Sequence, residues 1–449
     1  MSNHANNFDS PVAIIGGGLA GLSAAYDLGK NGTQVVLLEG DAVLGGLASA
    51  FKIDDKPIER FYHFVCRPDT HLIELVDELG IGTALHWRPV GTGYFHHGKM
   101  YPFGTPFDLL GFAPVPFFQR VRFGLNILQS RFLRDWHSLD NVSAKEWLVA
   151  SIGQQAYQVI WDPLLRVKFG ADAENIAAAW IWHRIWRVAS SRRRLWERDW
   201  YGYLEQGSET ITSALAQKIK SFANVEVLTN ARVVKIDLAE GKVRGIYLHD
   251  GRYVKCGVAI STVAPPTLVQ IAPDLPSDYR RQLERIKYIG VICMMLRLKH
   301  SLTDNFWVNI NDPRVSFNGF IEYTNLNPRS DLGDDHIVYI PFYISTEHER
   351  FQRDNPSLFE EYVTALKIVI PKFDRSWVSE YYVYREKYAQ AICDIGFSKL
   401  VPAHETPIPN LFITDSAQFY PEDRSISAAI RLGRHVAGMV RDRVKNCEA

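Results

Sequence analysis

The chain has 449 residues, enough for two or three domains around a large core, and at 47% hydrophobic residues it is not a mostly disordered chain. Lys+Arg and Asp+Glu number 50 each, a balance that gives no support to a general nucleic-acid binder. The five cysteines (66, 256, 293, 393 and 447) are scattered with no CxxC pair, which argues against a disulfide framework.

The polar start, residues 1–10, lacks the charged and apolar regions of a secretory leader. The uncharged runs 11–26 and 256–273 are broken by Gly or Pro and do not read as membrane spans. The expected location is cytoplasmic, with peripheral membrane contact and a homodimer as candidate additions.

Val12-Ala13-Ile14-Ile15 is a short apolar strand. Gly16-Gly17-Gly18-Leu19-Ala20-Gly21 follows and leads into a helix over 22–28, which Gly32 ends. Residues 34–38 form a second strand closing on Glu39. This is a βαβ unit with GxGxxG at the strand–helix junction. Gly16 permits the tight turn, Gly18 lets backbone approach a pyrophosphate, and Gly21 lets helix pack on strand. The helix N-terminus offers free N–H groups to the anion, and Glu39 suits a ribose 2′-hydroxyl.

Residues 41–49 then bring a second diglycine, Gly45-Gly46. With it the sequence resembles the GG-motif flavoproteins: flavin amine oxidases, protoporphyrinogen oxidase, phytoene-type desaturases and UDP-galactopyranose mutase. The resemblance implies FAD, bound by Gly16, Gly18, Leu19, Ala20, Gly21, Glu39, Gly45, Gly46, Leu47 and Ala48. Leu47 stands where the family usually has Arg, which moves the match away from amine oxidase proper but leaves backbone-borne FAD binding intact.

Alternating strands over 225–228, 232–236, 242–248 and 253–262 resemble the meander that returns to the FAD domain, with Val233 at the adenine end. Residues 410–415 are a strand closing on Asp415, and 425–444 a helix. In the superfamily such an acid contacts the ribityl or pyrophosphate region. The helix, opening at Ser425 and Ile426, points its N-terminus at the flavin; Thr414 precedes Asp415 where Gly is more usual.

The implied fold is α/β: a Rossmann-like FAD-binding domain built from discontinuous segments (1–63, 205–270 and 405–449), plus a mixed β-sheet and helical substrate domain (64–204 and 271–404). Residues 87–136 of the latter carry 12 Phe, Tyr and Trp with five Pro. Two readings compete. One is a greasy channel for a lipid-like or polycyclic substrate, with an interfacial patch over 112–132 held by Arg120, Arg122, Arg131 and Arg134. The other is a helical core whose arginines are solvated. A second aromatic stretch is 180–186, and Arg192–Arg194 reads as a solvated charge run.

In amine oxidases a Lys near flavin N5 lies on a strand shortly after the meander. Cys293 falls at that place here, with Lys287 as an offset alternative. Losing that lysine favours a dehydrogenation of protoporphyrinogen-oxidase or desaturase type, or a non-redox role. In related enzymes the stretch 59–63 runs beside the flavin, which makes Arg60 a contact for an anionic substrate and His63 a proton carrier. A helix ending at Gly170 places Lys168 and Arg166 as cavity candidates. Residues 420–424 form a gate before the last helix, and Arg424 stabilises charge at flavin N1. His96-His97 before Gly98 reads as a turn pair, and no metal site is expected.

The leading expectation is an FAD-dependent oxidoreductase that moves hydride from an apolar or polycyclic small molecule to flavin N5 and on to oxygen or a quinone, with no nucleic-acid partner. The alternatives are a UDP-galactopyranose-mutase-like enzyme acting on a nucleotide sugar without net redox, and a flavin-free prenyl-binding protein.

Overall fold

The computed structural model describes residues 10–448 apart from 134, 193 and 195, with side chains to 443. The polar start through residue 9, Arg134, Arg193 and the Cys447 thiol lie outside the described residues.

Five parallel strands form one sheet in the order Leu411–Ile413, Val258–Ser261, Val12–Ile15, Val35–Leu38, Val225–Leu228. The four nearest the Leu411 edge are buried at every position, as befits short apolar runs covered on both faces. Three distant stretches of chain therefore meet in one sheet. The helix Leu19–Lys30 follows the first strand, and the C-terminal helix Ile426–Glu448 lies on it. Their approach is so close that a Cβ on Gly433 would stand 2.1 Å from the Ala20 carbonyl oxygen.

The strand over 225–228 corrects the expected meander. It pairs in parallel with Val35–Leu38, taking up hydrogen-bonding groups that would otherwise leave that strand as the sheet's edge. The meander itself is Val233–Ala239, Lys242–Leu248 and Tyr253–Lys255. Its first turn has positive φ at both Glu240 (53°) and Gly241 (73°), the geometry a two-residue hairpin needs.

The second sheet has seven strands, in the order Val378–Ala391, Tyr288–Leu298, His336–Ile344, Gly319–Glu322, Trp307–Asn311, Thr92–His96, Lys99–Pro102. Helices including Phe117–Ser130, Ala144–Ile152, Asp162–Phe169 and Ala178–Ala189 pack beside it. The aromatic stretches divide between core and surface. Phe112, Phe123, Trp180 and Trp182 are buried in the helical core, whereas Phe107, Phe117, Phe118 and Phe132 are 63–74% exposed. Among the described residues no helix is long and apolar enough to cross a membrane.

Candidate active site

A single cavity of about 1220 Å³ runs from the edge of the parallel sheet into the helical layer. Gly16, Gly18, Leu19, Ala20, Glu39, Gly45, Gly46, Leu47, Ala48, Asp415, Ser425 and Ile426 line one end of it. Two glycine loops make this end. Gly45 (φ 111°) donates its N–H to the Gly17 carbonyl at 2.8 Å, and Gly18 and Gly45 are bridged in parallel. Gly18 caps the first helix without a side chain, and a Cβ there would meet nothing nearer than Gly46 Cα at 3.9 Å. The helix's first amides thus face open space at backbone distance, a cradle for a phosphate.

Glu39 ties the cradle together. Its Oε2 accepts from Gly17 N–H at 2.6 Å and its Oε1 from Asp41 N–H at 2.8 Å, and its remaining lone pairs border the cavity. Gly21 is off the wall: a Cβ there would fall 1.9 Å from Gly16 O, so this glycine serves helix–strand packing. Val233 is also off the wall, in the meander opposite Leu248. Ser425 Oγ accepts from Ala428 N–H at 3.0 Å, capping the last helix where it meets the cavity. Asp415 is half-buried on the same wall, taking Tyr288 O–H at 2.6 Å and Ala417 N–H at 2.7 Å; loss of water around it raises its pKa.

Deeper in, Lys168, Arg184, Tyr343, Asp423 and Arg424 meet from four separate chain segments. Asp423 is the anchor. It accepts from Arg184 at 2.7 Å, from Gln390 at 3.2 Å and from Arg424 N–H at 3.0 Å. Burial opposes its ionisation, but Lys168, Arg184 and Arg424 outweigh it and hold the carboxyl at about 2. Arg424 donates to the Ala389 carbonyl at 2.9 Å and to the Tyr343 hydroxyl. Lys168 has aromatic neighbours instead: its Nζ lies 4.5 Å from the Tyr343 ring centre and 4.7 Å from that of Trp180. Burial, aided by the Arg184 and Arg424 charges, lowers its pKa to about 7 against the pull of Asp423. A lysine so placed is an amine that can accept a proton near neutral pH.

Arg60 and His63 line the same cavity. The His63 ring sits 3.0 Å from Glu59 Oε1, and Glu59 is 2% exposed, so a buried carboxylate sets the ring's orientation. Arg60 lies over the Tyr384 ring and 3.9 Å from Asp41.

Several expectations are corrected. Cys293 does reach the cavity wall, but burial pushes its thiol up to about 12, so it is no base. Lys287 is off the site, paired with Asp172 at 2.8 Å. Arg166 pairs outward with Asp162, one turn away on the same helix, while Lys168 turns in. Of the run Arg192–Arg194, Arg192 is not solvated: it pairs at the cavity wall with the buried Asp199, the residue just before the strand over 200–204, whereas Arg194 is exposed. Tyr420 is pinned rather than a gate, its hydroxyl donating to Asp140 and its ring edge-on to Trp136. The His96-His97 pair is at a turn as expected: it closes a hairpin, with positive φ at His97 and Gly98. No group of three or more His, Cys, Asp or Glu side chains is placed to hold a metal among the described residues.

The sequence reading missed Arg184 and Tyr343 as site residues and took Asp423 only as part of the 420–424 gate. No local pattern marks them: the Arg184–Asp423 ion pair joins positions 239 apart.

Comparison with known proteins gives the family. The Flavin containing amine oxidoreductase family matches residues 19–440. A Mycobacterium tuberculosis protein assigned as a flavin-containing monoamine oxidase, AofH, is 25% identical over 60% of this chain, and the match spans 61% of that relative's length. The zeta-carotene desaturase of Synechocystis is 21% identical over 95% of this chain and 96% of its own. The solved structure of an Exiguobacterium protein assigned as a protoporphyrinogen oxidase superposes with a TM-score of 0.74 at 16% identity, covering 99% of this chain and 100% of that one. The glycine cradle, the side-chain-free cap at Gly18 and the Glu39 carboxylate fit the phosphates and ribose of FAD, and with FAD as cofactor the flavin-free alternative falls. The chain belongs to the flavin-containing amine oxidoreductase family, and FAD is its cofactor.

Proposed function

We propose that the chain is an FAD-dependent dehydrogenase that removes a hydride and a proton from an apolar, lipid-like or polycyclic substrate, with oxygen or a quinone as final electron acceptor. The observation that carries this reading is the continuity of the cavity: the glycine cradle opens without a barrier into a space walled by Leu109, Ile127, Leu128, Ile160, Leu164 and Ile185. Such a stretch of wall favours an apolar molecule by burying it, while charged groups of the cavity gather around Lys168 and Asp423. On this reading 1–63, 205–270 and 405–449 form the cofactor unit, and 64–204 and 271–404 the substrate unit.

Gly16, Gly18 to Ala20, Glu39 and Gly45 to Ala48 would hold the cofactor's phosphates and ribose, and Ser425 and Ile426 would present the last helix to its ring. FAD supplies a two-electron acceptor when bound. Lys168 Nζ, neutral above about pH 7, takes the proton that leaves the substrate. Asp423 stays ionised and balances the Arg184 and Arg424 charges around it. Tyr343 and Trp180 keep water from the amine by packing against it. His63, held by Glu59, is a second proton carrier at the cofactor end, and Arg60 is placed to meet an anionic group.

The test is anaerobic titration of the yellow holoenzyme with apolar and polycyclic donors. Bleaching of the visible flavin band by such a donor is the expected result. A holoenzyme that none of them bleaches, yet that turns over a nucleotide sugar once reduced by dithionite, would establish the mutase reading in its place.

A further inference from the structure

Leu110, Phe117, Val121 and Leu125 both line the cavity and stand exposed, at 38–63%, on the outer face of the helices Pro106–Gly111 and Phe117–Ser130. They are the cavity's mouth. Phe107, Phe118 and Phe132 surround it, 67–74% exposed. A stable monomer in water seldom leaves so many large apolar side chains together on its surface. The charge pattern is one-sided as well. Residues 106–136 contain four Arg, at 120, 122, 131 and 134, against two acids at the ends: Asp108, which accepts from the Gly104 and Thr105 N–H groups, and Asp135, which pairs with His137. Arg122 donates to the Ser151 carbonyl at 3.0 Å and Arg120 to the Leu110 carbonyl, contacts that fix the side chains and leave their charge uncompensated.

We propose that this face docks on an anionic lipid surface, with the rim phenylalanines among the acyl chains, the arginines at the headgroups and the cavity mouth open to the bilayer. Apolar side chains beside Arg120, Arg122 and Arg131, which have no acidic partner among the described residues, are the chemistry of an interfacial helix. A second copy of this chain is a poorer occupant, because the patch carries four arginines against Asp108 and Asp135, and a two-fold contact would set cation against cation. The apolar substrate of the proposed reaction then enters and leaves without crossing water. That last step rests on the functional reading above; the docking does not.

The experiment uses the full-length, FAD-loaded chain and sedimentation with vesicles. It should pellet with phosphatidylserine mixed into phosphatidylcholine, less with phosphatidylcholine alone, and be released as salt rises. Replacing both Phe118→Asp and Phe132→Asp should lower the bound fraction at least about tenfold, with the flavin spectrum unchanged. A fluorophore on Leu125→Cys should be quenched by bromine-labelled acyl chains, and one on Val234→Cys, exposed on the meander, should not. Docking is overturned if the wild-type chain stays in the supernatant, if the double variant binds equally well, or if the double variant instead breaks a dimer that no vesicle captures. The open mouth is overturned if the bound protein's Leu125 probe is not quenched. Binding needs no substrate, so a chain that docks but whose flavin no apolar donor reduces loses the functional reading and keeps the docking.

Discussion

Replacing Lys168 with methionine keeps the length of the side chain and removes its amine. Burial lowers the Lys168 pKa from 10.5 to about 7. Between those values the unfolded lysine binds a proton that the folded one has released, so wild-type stability rises with pH across that window. Below about 7 both are protonated and the penalty is constant at its largest. At about 1.4 kcal/mol per pH unit, the buried lysine costs the fold roughly 4 kcal/mol at pH 7 and roughly 2 kcal/mol at pH 9. Lys168→Met should therefore be more stable than wild type by about those amounts, with the gap closing toward pH 10.5. The assay is denaturant unfolding of both proteins by tryptophan fluorescence at a series of pH values. The same substitution should lower kcat/KM by about 10²–10⁴ and abolish a wild-type rise in rate through about pH 7. A variant more stable and less active fits an amine retained for chemistry. A variant no more stable than wild type at pH 7, or a gap that does not shrink with pH, would refute the claim that Lys168 is held against its preferred charge state.

Other substitutions probe the frame. Arg187 donates to Asp69 at 2.6 and 3.1 Å, and Asp69 is 6% exposed, so Arg187→Met should cost about 3–5 kcal/mol by stranding a buried carboxylate; adding Asp69→Asn should recover much of it in thermal unfolding. Gly433→Ala puts a methyl 2.1 Å from Ala20 O and should destabilise the protein by about 1–3 kcal/mol, read as a lower Tm with loss of bound flavin, because the displaced helix carries part of the cradle. Burial pushes the Cys66, Cys256 and Cys293 thiols up to about 12, so peptide mapping should find them unmodified by iodoacetamide at about pH 8 in the folded chain and modified once it is denatured.

The nucleotide cradle was legible in the sequence because its determinants are local. Gly16 to Gly21, Glu39 and Gly45-Gly46 lie within some thirty residues, and each is set by what a backbone turn or a close approach permits. The strands 12–15 and 35–38 and the acid at 415 were legible for the same reason: short apolar runs with punctuated ends carry their own signal. The strand over 225–228 was misplaced because its apolar pattern suits a meander as well as a parallel edge, and only the free side of Val35–Leu38 decides between them. The charged cluster deeper in the cavity belongs mostly to tertiary structure, although the sequence offered Lys168 and Arg424 as candidates. Lys168, Arg184, Tyr343 and Asp423 come from two helices, a strand and a loop, and the charge states of Lys168 and Asp423 are set by burial and by charges brought from far along the chain. The pattern of an isolated helix shows Arg166 and Lys168 as two alike cations; the fold turns one to solvent and an aspartate, the other into an aromatic pocket, and desolvation makes them chemically different.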